Sequence, residues 1–144
     1  MKKVCLILVA VMMMFLVSGC GKTQVLTCVQ TPEGTVAKFE MTFKGDVVKK
    51  MHYDYDTDLS DTEKYTDQII EAFKKQDFCS MTKENLSTYK EAFGDCKQEI
   101  KDRHLILSAD FDSAKVVGSD SAKKVTIETA KAEFEAQGFT CTIK

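Results

Sequence analysis

The sequence predicts an α+β domain, an antiparallel sheet of about five to six strands with helices packed on one face, in the order β-β-β-α-α-β-β-α-β. Three observations predict it. Residues 35–43 and 47–56 alternate with a period of two on either side of a tight Lys44-Gly45-Asp46 turn. Residues 60–93 change to the three- and four-residue spacing of helices. Residues 96–111 then return to alternation as a second hairpin.

The elements follow in order. Residues 25–31 read as the first strand, closed by the Pro32-Glu33-Gly34 turn. Ala37, Phe39, Met41 and Phe43 form the apolar side of the second strand. In the third, Val47, Lys49, Met51, Tyr53 and Tyr55 share one face, and Val48, Lys50, His52, Asp54 and Asp56 the other. Ser60-Asp61-Thr62-Glu63 matches a capping box. The helix it opens turns Tyr65, Ile69, Ala72 and Phe73 inward and ends near Phe78-Cys79. A shorter helix over 83–93 carries Leu86, Tyr89 and Phe93 on one side and stops at Gly94. Leu105, Leu107, Ala109 and Phe111 are the buried side of the second hairpin, which bends at Lys101-Asp102-Arg103. Residues 113–125 read as irregular. Thr126 caps a helix that points Ile127, Ala130 and Phe134 inward and ends at Gln137-Gly138. Residues 139–143 are the last strand.

Ahead of the domain, Lys2 and Lys3 precede an apolar run over 4–17 that is too short to span a bilayer comfortably. Leu16-Val17-Ser18-Gly19-Cys20 follows, and it resembles the lipobox of bacterial lipoproteins. That resemblance implies a signal peptide over 1–19, and a lipidated Cys20, carrying acyl chains such as palmitate, as the first mature residue. Residues 20–24 then read as a short polar tether, and the remaining length reads as a single domain over 25–144. Two or more acyl chains anchor a protein stably where one does so marginally. We therefore expect a protein tethered by lipid at the outer face of a bacterial cell membrane. Removing 1–19 from the 144 residues leaves 125, with 18 basic against 22 acidic side chains, a mildly acidic balance without the footprint of a nucleic-acid binder.

Cys28, Cys79, Cys96 and Cys141 remain in the mature chain, and an even number of thiols in an exported domain reads as two disulfides. No pair has Cys-x-x-Cys spacing, which makes a zinc site the lesser reading. Four thiols allow three connectivities and sequence does not choose among them. We expect Cys28 with Cys141, joining the first strand to the last, and Cys79 with Cys96, closing a local excursion. A straight second helix would leave Cys96 about 16 Å from Cys79 at 1.5 Å per residue, beyond the roughly 7 Å that a disulfide spans. That helix must then be bent, broken or set across its predecessor.

The lipobox, a Thr27-Cys28 strand, the Phe43-Lys44-Gly45-Asp46-Val47 turn and the closing Gln137-Gly138-Phe139 stand in an order that resembles the YehR-like lipoproteins. The resemblance covers almost the whole mature chain. It implies an α+β fold and membrane anchoring, and it transfers no catalytic residue.

Candidate chemistry is sparse. His52, Asp54, Asp56 and Asp58 fall on alternate positions and would share a strand face, where carboxylates and an imidazole can hold a divalent cation. A solvated outer face is the preferred reading, and Asp110 and Asp112 repeat the pattern and read the same way. The calcium-loop template fails at Leu59, where glycine is needed, and at Tyr65, where glutamate is. The serines lie in no Gly-x-Ser-x-Gly setting and no Gly-rich phosphate loop is present. We expect a monomeric, non-enzymatic lipoprotein without cofactor, metal or nucleic acid, whose domain meets a protein or small-molecule ligand. The alternative is a small extracytoplasmic enzyme or metal binder using the His52/Asp54/Asp56 face.

Overall fold

The computed structural model describes residues 21–85, 90–116 and 125–144. Residues 1–20, with the lipobox and Cys20, lie outside them, as do Leu86 and Tyr89 of the expected second helix. The chain is α+β. Six strands, β1 (Thr23–Gln30), β2 (Thr35–Lys44), β3 (Val47–Asp58), β4 (Phe93–Lys101), β5 (His104–Phe111) and β6 (Thr140–Ile143), form one sheet in the order β4-β5-β3-β2-β1-β6. Every pairing in it is antiparallel. Four helices accompany it among the described residues: α1 (Asp67–Phe73), α2 (Phe78–Asn85), α3 (Ser113–Val116) and α4 (Ile127–Ala136). β1 begins at Thr23, so the expected tether is already strand from its fourth residue.

Alternation decides which strand residues are buried. Leu26, Cys28, Met41, Phe43, Met51, Ala109 and Phe111 belong to one apolar cluster with Ile127 and Ala130 of α4. Leu105 joins Leu59 and Ile70 of α1 in a second. Burying each large apolar side chain is worth roughly 1.5–3 kcal/mol. One alternation differs from expectation. Period two puts Val47 on the inward face, yet Val48 is buried at 5% exposure and Val47 is exposed at 50%. The register explains it: Thr42 pairs with Lys50 but Phe43 pairs with Val48, so Lys49 has no partner and the strand is bulged there. One extra residue reverses the side-chain parity and lets Met51 and Val48 both point inward.

The helical region also departs from the sequence-based expectation. The capping box at Ser60 does not open a helix. Asp58 accepts the Ser60 backbone N–H, and Asp61 Oδ1 accepts from the Glu63 and Lys64 backbones at 3.0 and 3.1 Å, which makes a turn. Thr66 is the N-cap instead, accepting from Ile69 N. The later start shifts the helical phase, so Ile70 is buried and Ile69 lies outside. The helix stops at Phe73 rather than near Phe78-Cys79. Asp77 accepts from Ser80 N at 2.9 Å and from its hydroxyl at 2.7 Å, and this cap starts α2 at Phe78. Phe93 and Gly94, expected at the end of a helix, belong to β4. A Cβ at Gly94 would lie 2.9 Å from the Asp110 carbonyl oxygen, next to the irregular register between Phe93 and Cys96, so the strand requires glycine there. Ser113–Val116 is a single helical turn within the stretch expected to be irregular.

Disulfides join Cys28 to Cys141 and Cys79 to Cys96. Cys28 and Cys141 are direct partners across β1 and β6. Cys79 sits in the first turn of α2, whose backbone is held over β4 by one side chain: Gln98 accepts from Cys79 N at 3.1 Å and donates to Gln76 O at 2.7 Å. The helix that holds Cys79 ends at Asn85 and Cys96 already lies in β4, so no straight helix over 83–93 separates them, and the two Cα atoms stand 5.9 Å apart. With separations of 113 and 17 residues, the chain-entropy estimate values the bonds at about 5 and about 3 kcal/mol.

Arg103, the chain's only arginine, clamps the loop that follows β3. Its Nε donates to Leu59 O at 3.1 Å, its second guanidinium nitrogen to Tyr65 O at 2.5 Å, and its first to Asp67 at 2.9 Å. Asp67 is 94% exposed, so that ion pair contributes little and the two carbonyl bonds carry the clamp. The β4–β5 hairpin turns on Asp102 and Arg103 at φ of 50° and 59°, a left-handed pair that usually calls for Asn-Gly. We predict that Arg103→Ala destabilises the protein by about 2–4 kcal/mol in urea unfolding. Arg103→Gly loses the same bonds but relieves the backbone, and should cost about 1 kcal/mol less. Losses below about 0.5 kcal/mol would refute the clamp, and equal losses would refute the backbone strain.

Candidate functional site

The sequence-predicted polar face exists. On β3, His52, Asp54 and Asp56 alternate outward, and β5 places Asp110 directly opposite His52 and Ser108 opposite Asp54. His52 Nδ1 lies 2.7 Å from Asp110 Oδ1, and Nε2 lies 3.0 Å from Asp54 Oδ1 and 3.1 Å from Ser108 Oγ. Lys38 of β2 reaches Glu40 at 3.4 Å and Asp54 at 3.9 Å. Further along, His104 Nδ1 meets Asp56 Oδ1 at 2.8 Å. Asp58 caps the Ser60 turn instead of joining the face as a ligand, and its carboxyl is held below the usual range by the Ser60 hydroxyl and backbone N–H.

The order Ser108, His52, Asp110 matches the connectivity of a Ser-His-Asp triad, which no sequence motif marks. Only the β3–β5 register brings these residues together, and those strands are separated in sequence by two helices and β4. The chemistry differs from a triad. A base must keep one ring nitrogen unprotonated to take the serine proton. Here a carboxylate faces each ring nitrogen, so both donate and the imidazolium is favoured. The Asp110 hydrogen bond, followed by that of Asp54, holds the His52 ring above its ordinary value despite partial burial. His104 is raised in the same way, first by the Asp56 hydrogen bond and then by the charges of Asp56, Asp58 and Asp102. Ser108 also lies mid-strand, with its neighbours committed to the β3–β5 and β4–β5 ladders. Among the described residues no group of three or more His, Cys, Asp and Glu is arranged to hold a metal ion.

One concavity lies on the other side of the strands. Phe39, Met41, Met51 and Phe111 of the sheet and Phe134 of α4, with Phe139, line a cavity of about 180 Å³. Phe39 stands 5.0 Å from Phe134 and 5.8 Å from Phe139, and Phe134 meets Phe139 edge-on at 5.4 Å. Tyr53 packs on Phe39 at 4.5 Å, and burial, then the neighbouring Tyr55, pushes its phenol up to about 12. Glu133 and Gln137 also line the cavity and are exposed, so they stand where it meets solvent. The inward stripe of the last helix was legible; the gap beside it was not, because apolar periodicity is the same for a filled and an unfilled contact.

We predict that the His52 ring titrates in an NMR pH series with a midpoint above the ordinary value of about 6.5. Asp110→Asn should lower that midpoint more than Asp54→Asn does. Because the folded value is raised, the stabilisation is present in full below about pH 6.5 and is lost as pH rises through the folded midpoint. A wild-type midpoint at or below about 6.5 would contradict the two-carboxylate geometry.

No protein-family model matches the chain, and no curated protein matches it. A solved NMR structure of a protein from Streptococcus pneumoniae TIGR4 is similar over 84% of each chain, at 14% identity and a TM-score of 0.45.

Proposed function

We propose that this chain is an exported, lipid-anchored protein whose domain binds a small ligand outside the cytoplasmic membrane and catalyses no reaction. The observation that carries the binding reading is the cavity lined by Phe39, Phe134 and Phe139, since small-molecule sites are concave, mostly apolar and edged by a few polar groups. The imidazolium geometry at His52 supports a non-catalytic reading, because the one histidine next to a serine is disposed to donate rather than accept. Two disulfides suit an oxidising compartment outside the cytoplasm. Among the described residues no helix is long and apolar enough to cross a membrane.

In this reading Cys20 carries the lipid, and the tether leads directly into β1. The motif order that resembles the YehR-like lipoproteins agrees with it. The packed helices cover one side of the sheet, the other side stays in water, and the protein acts as a monomer.

Cys20→Ser should move the protein from the membrane fraction to the soluble one, or leave it unprocessed with residues 1–19 attached. An unchanged mass and membrane partition would refute the anchor. For the ligand, the full chain titrated with small aromatic compounds should melt at rising temperature, by RT ln(1 + [L]/Kd) of added stability. A melting temperature indifferent to every such compound would refute the cavity as a binding site.

A further inference from the structure

We propose that the cavity under α4 selects a small organic cation with an apolar or aromatic body, an amine protonated at neutral pH. The inference rests on the binding reading above and names the ligand class of that same site. Size comes first. A cavity of about 180 Å³ is of the scale that admits a single benzene-sized ring. Its wall supplies phenylalanine rings from three segments, Phe39 on β2, Phe134 on α4 and Phe139 before β6. These rings are tilted or edge-on to one another. Unstacked aromatic faces carry negative quadrupole density that attracts a cation within about 6 Å.

Charge at the mouth completes the selection. Glu133 and Gln137 are one helical turn apart at the end of α4, so they share the side of the helix that meets the opening. The other acids and bases of α4 are differently placed: Glu128 lies in the first turn, and Lys131 and Glu135 pair with each other. Glu133 makes no ion pair among the described residues, and the Gln137 side-chain amide makes no hydrogen bond among them. The cavity therefore presents an apolar floor, aromatic walls, one uncompensated carboxylate and one amide. An anion would meet that carboxylate with no cation lining the cavity to offset it. A neutral ring would fill the floor and leave the carboxylate unused. An ammonium on a short arm satisfies both.

The test uses the full chain with methyl-labelled methionine in a non-ionic detergent micelle. Met41 and Met51 line the cavity and report its occupancy, while exposed Met81 is the control. The probes are phenylethylammonium, neutral phenylethanol and anionic phenylacetate. We expect the cation to shift both cavity methyls and to bind roughly tenfold more tightly than the alcohol, with the anion weakest. Glu133→Gln, at an exposed helix position, should narrow the preference for the cation over the alcohol. Equal binding of cation and alcohol, or a Glu133→Gln protein with undiminished preference, would overturn the cation assignment and leave the cavity a neutral apolar site. Failure of all three probes to move Met41 and Met51 would overturn the cavity reading itself.

Discussion

A six-stranded antiparallel sheet has two faces, and among the described residues the fully buried apolar side chains of its strands gather on one of them. The strands supply a buried set, Leu26, Cys28, Met41, Phe43, Met51, Ala109 and Phe111, and α4 adds Ile127 and Ala130 to it. The alternate positions carry Lys38, Glu40, His52, Asp54, Ser108 and Asp110. One-sided burial is the ordinary solution for an antiparallel sheet, since hairpins need no crossover helices. It makes parity the governing quantity, because a slip of one residue would exchange core for solvent along a whole strand. The bulge at Lys49 is where parity is corrected: after the tight turn Val47 starts on the wrong side, and one unpaired residue restores the phase by Met51. The outer ion-pair ladder follows from the same requirement. Charged residues there satisfy one another in water, at little net gain in stability.

The excursion between β3 and β4 is held differently. β3 pairs with β5, so the chain leaves the sheet after Asp58 and returns to its edge at Phe93. α1 buries Ile70 alone, and α2 buries no residue fully. Neither helix reaches the length at which it would be stable in isolation. Arg103 bonds to the backbone at Leu59 and Tyr65, Gln98 bonds to the backbone at Gln76 and Cys79, and the Cys79–Cys96 bond closes the loop covalently. Polar side chains reaching from the β4–β5 hairpin thus supply what a larger apolar interface would otherwise do. Arg103 does so from a left-handed backbone position, which costs an ordinary residue roughly 1–2 kcal/mol.

This division explains what could be read from the residues. The strands, the α4 helix with its Thr126 cap, and the α+β class were legible because period-two and period-3.6 patterns each record one buried face. The α1 start was misplaced because Ser60-Asp61-Thr62-Glu63 satisfies a turn as well as a cap: Asp58 and Asp61 take the backbone donors that a helix would have used. The break before α2 was hidden by Phe73 and Phe78, which both pack in the second apolar cluster and so look continuous in sequence. The Ser108, His52 and Asp110 constellation depends on the pairing of two strands that are not neighbours in sequence, and no local pattern encodes that register. His52 itself was legible as an outward strand residue. Its pairing with two carboxylates was not, because Asp110 lies on the other strand.

The cavity arises from the same core that makes the fold. Along α4, Ala130 presents a single methyl and is buried at 2% exposure, so the helix can approach the sheet closely there. Phe134 follows one turn later and meets Phe39 and Phe139 as tilted or edge-on rings. Flat rings in such arrangements do not tile the space between them, whereas branched aliphatic side chains would fill it. The helix cannot readily settle further onto the sheet. Gly138, at φ of 90°, turns the chain directly from α4 towards β6, and β6 is bonded to β1 through Cys28–Cys141. Gln30 of β1 also donates to the Gln137 carbonyl at 3.3 Å, tying the end of the helix to the neighbouring strand. Collapse of the gap would have to move α4 against these ties, so the volume persists for the same reason that the C-terminal strand stays in the sheet.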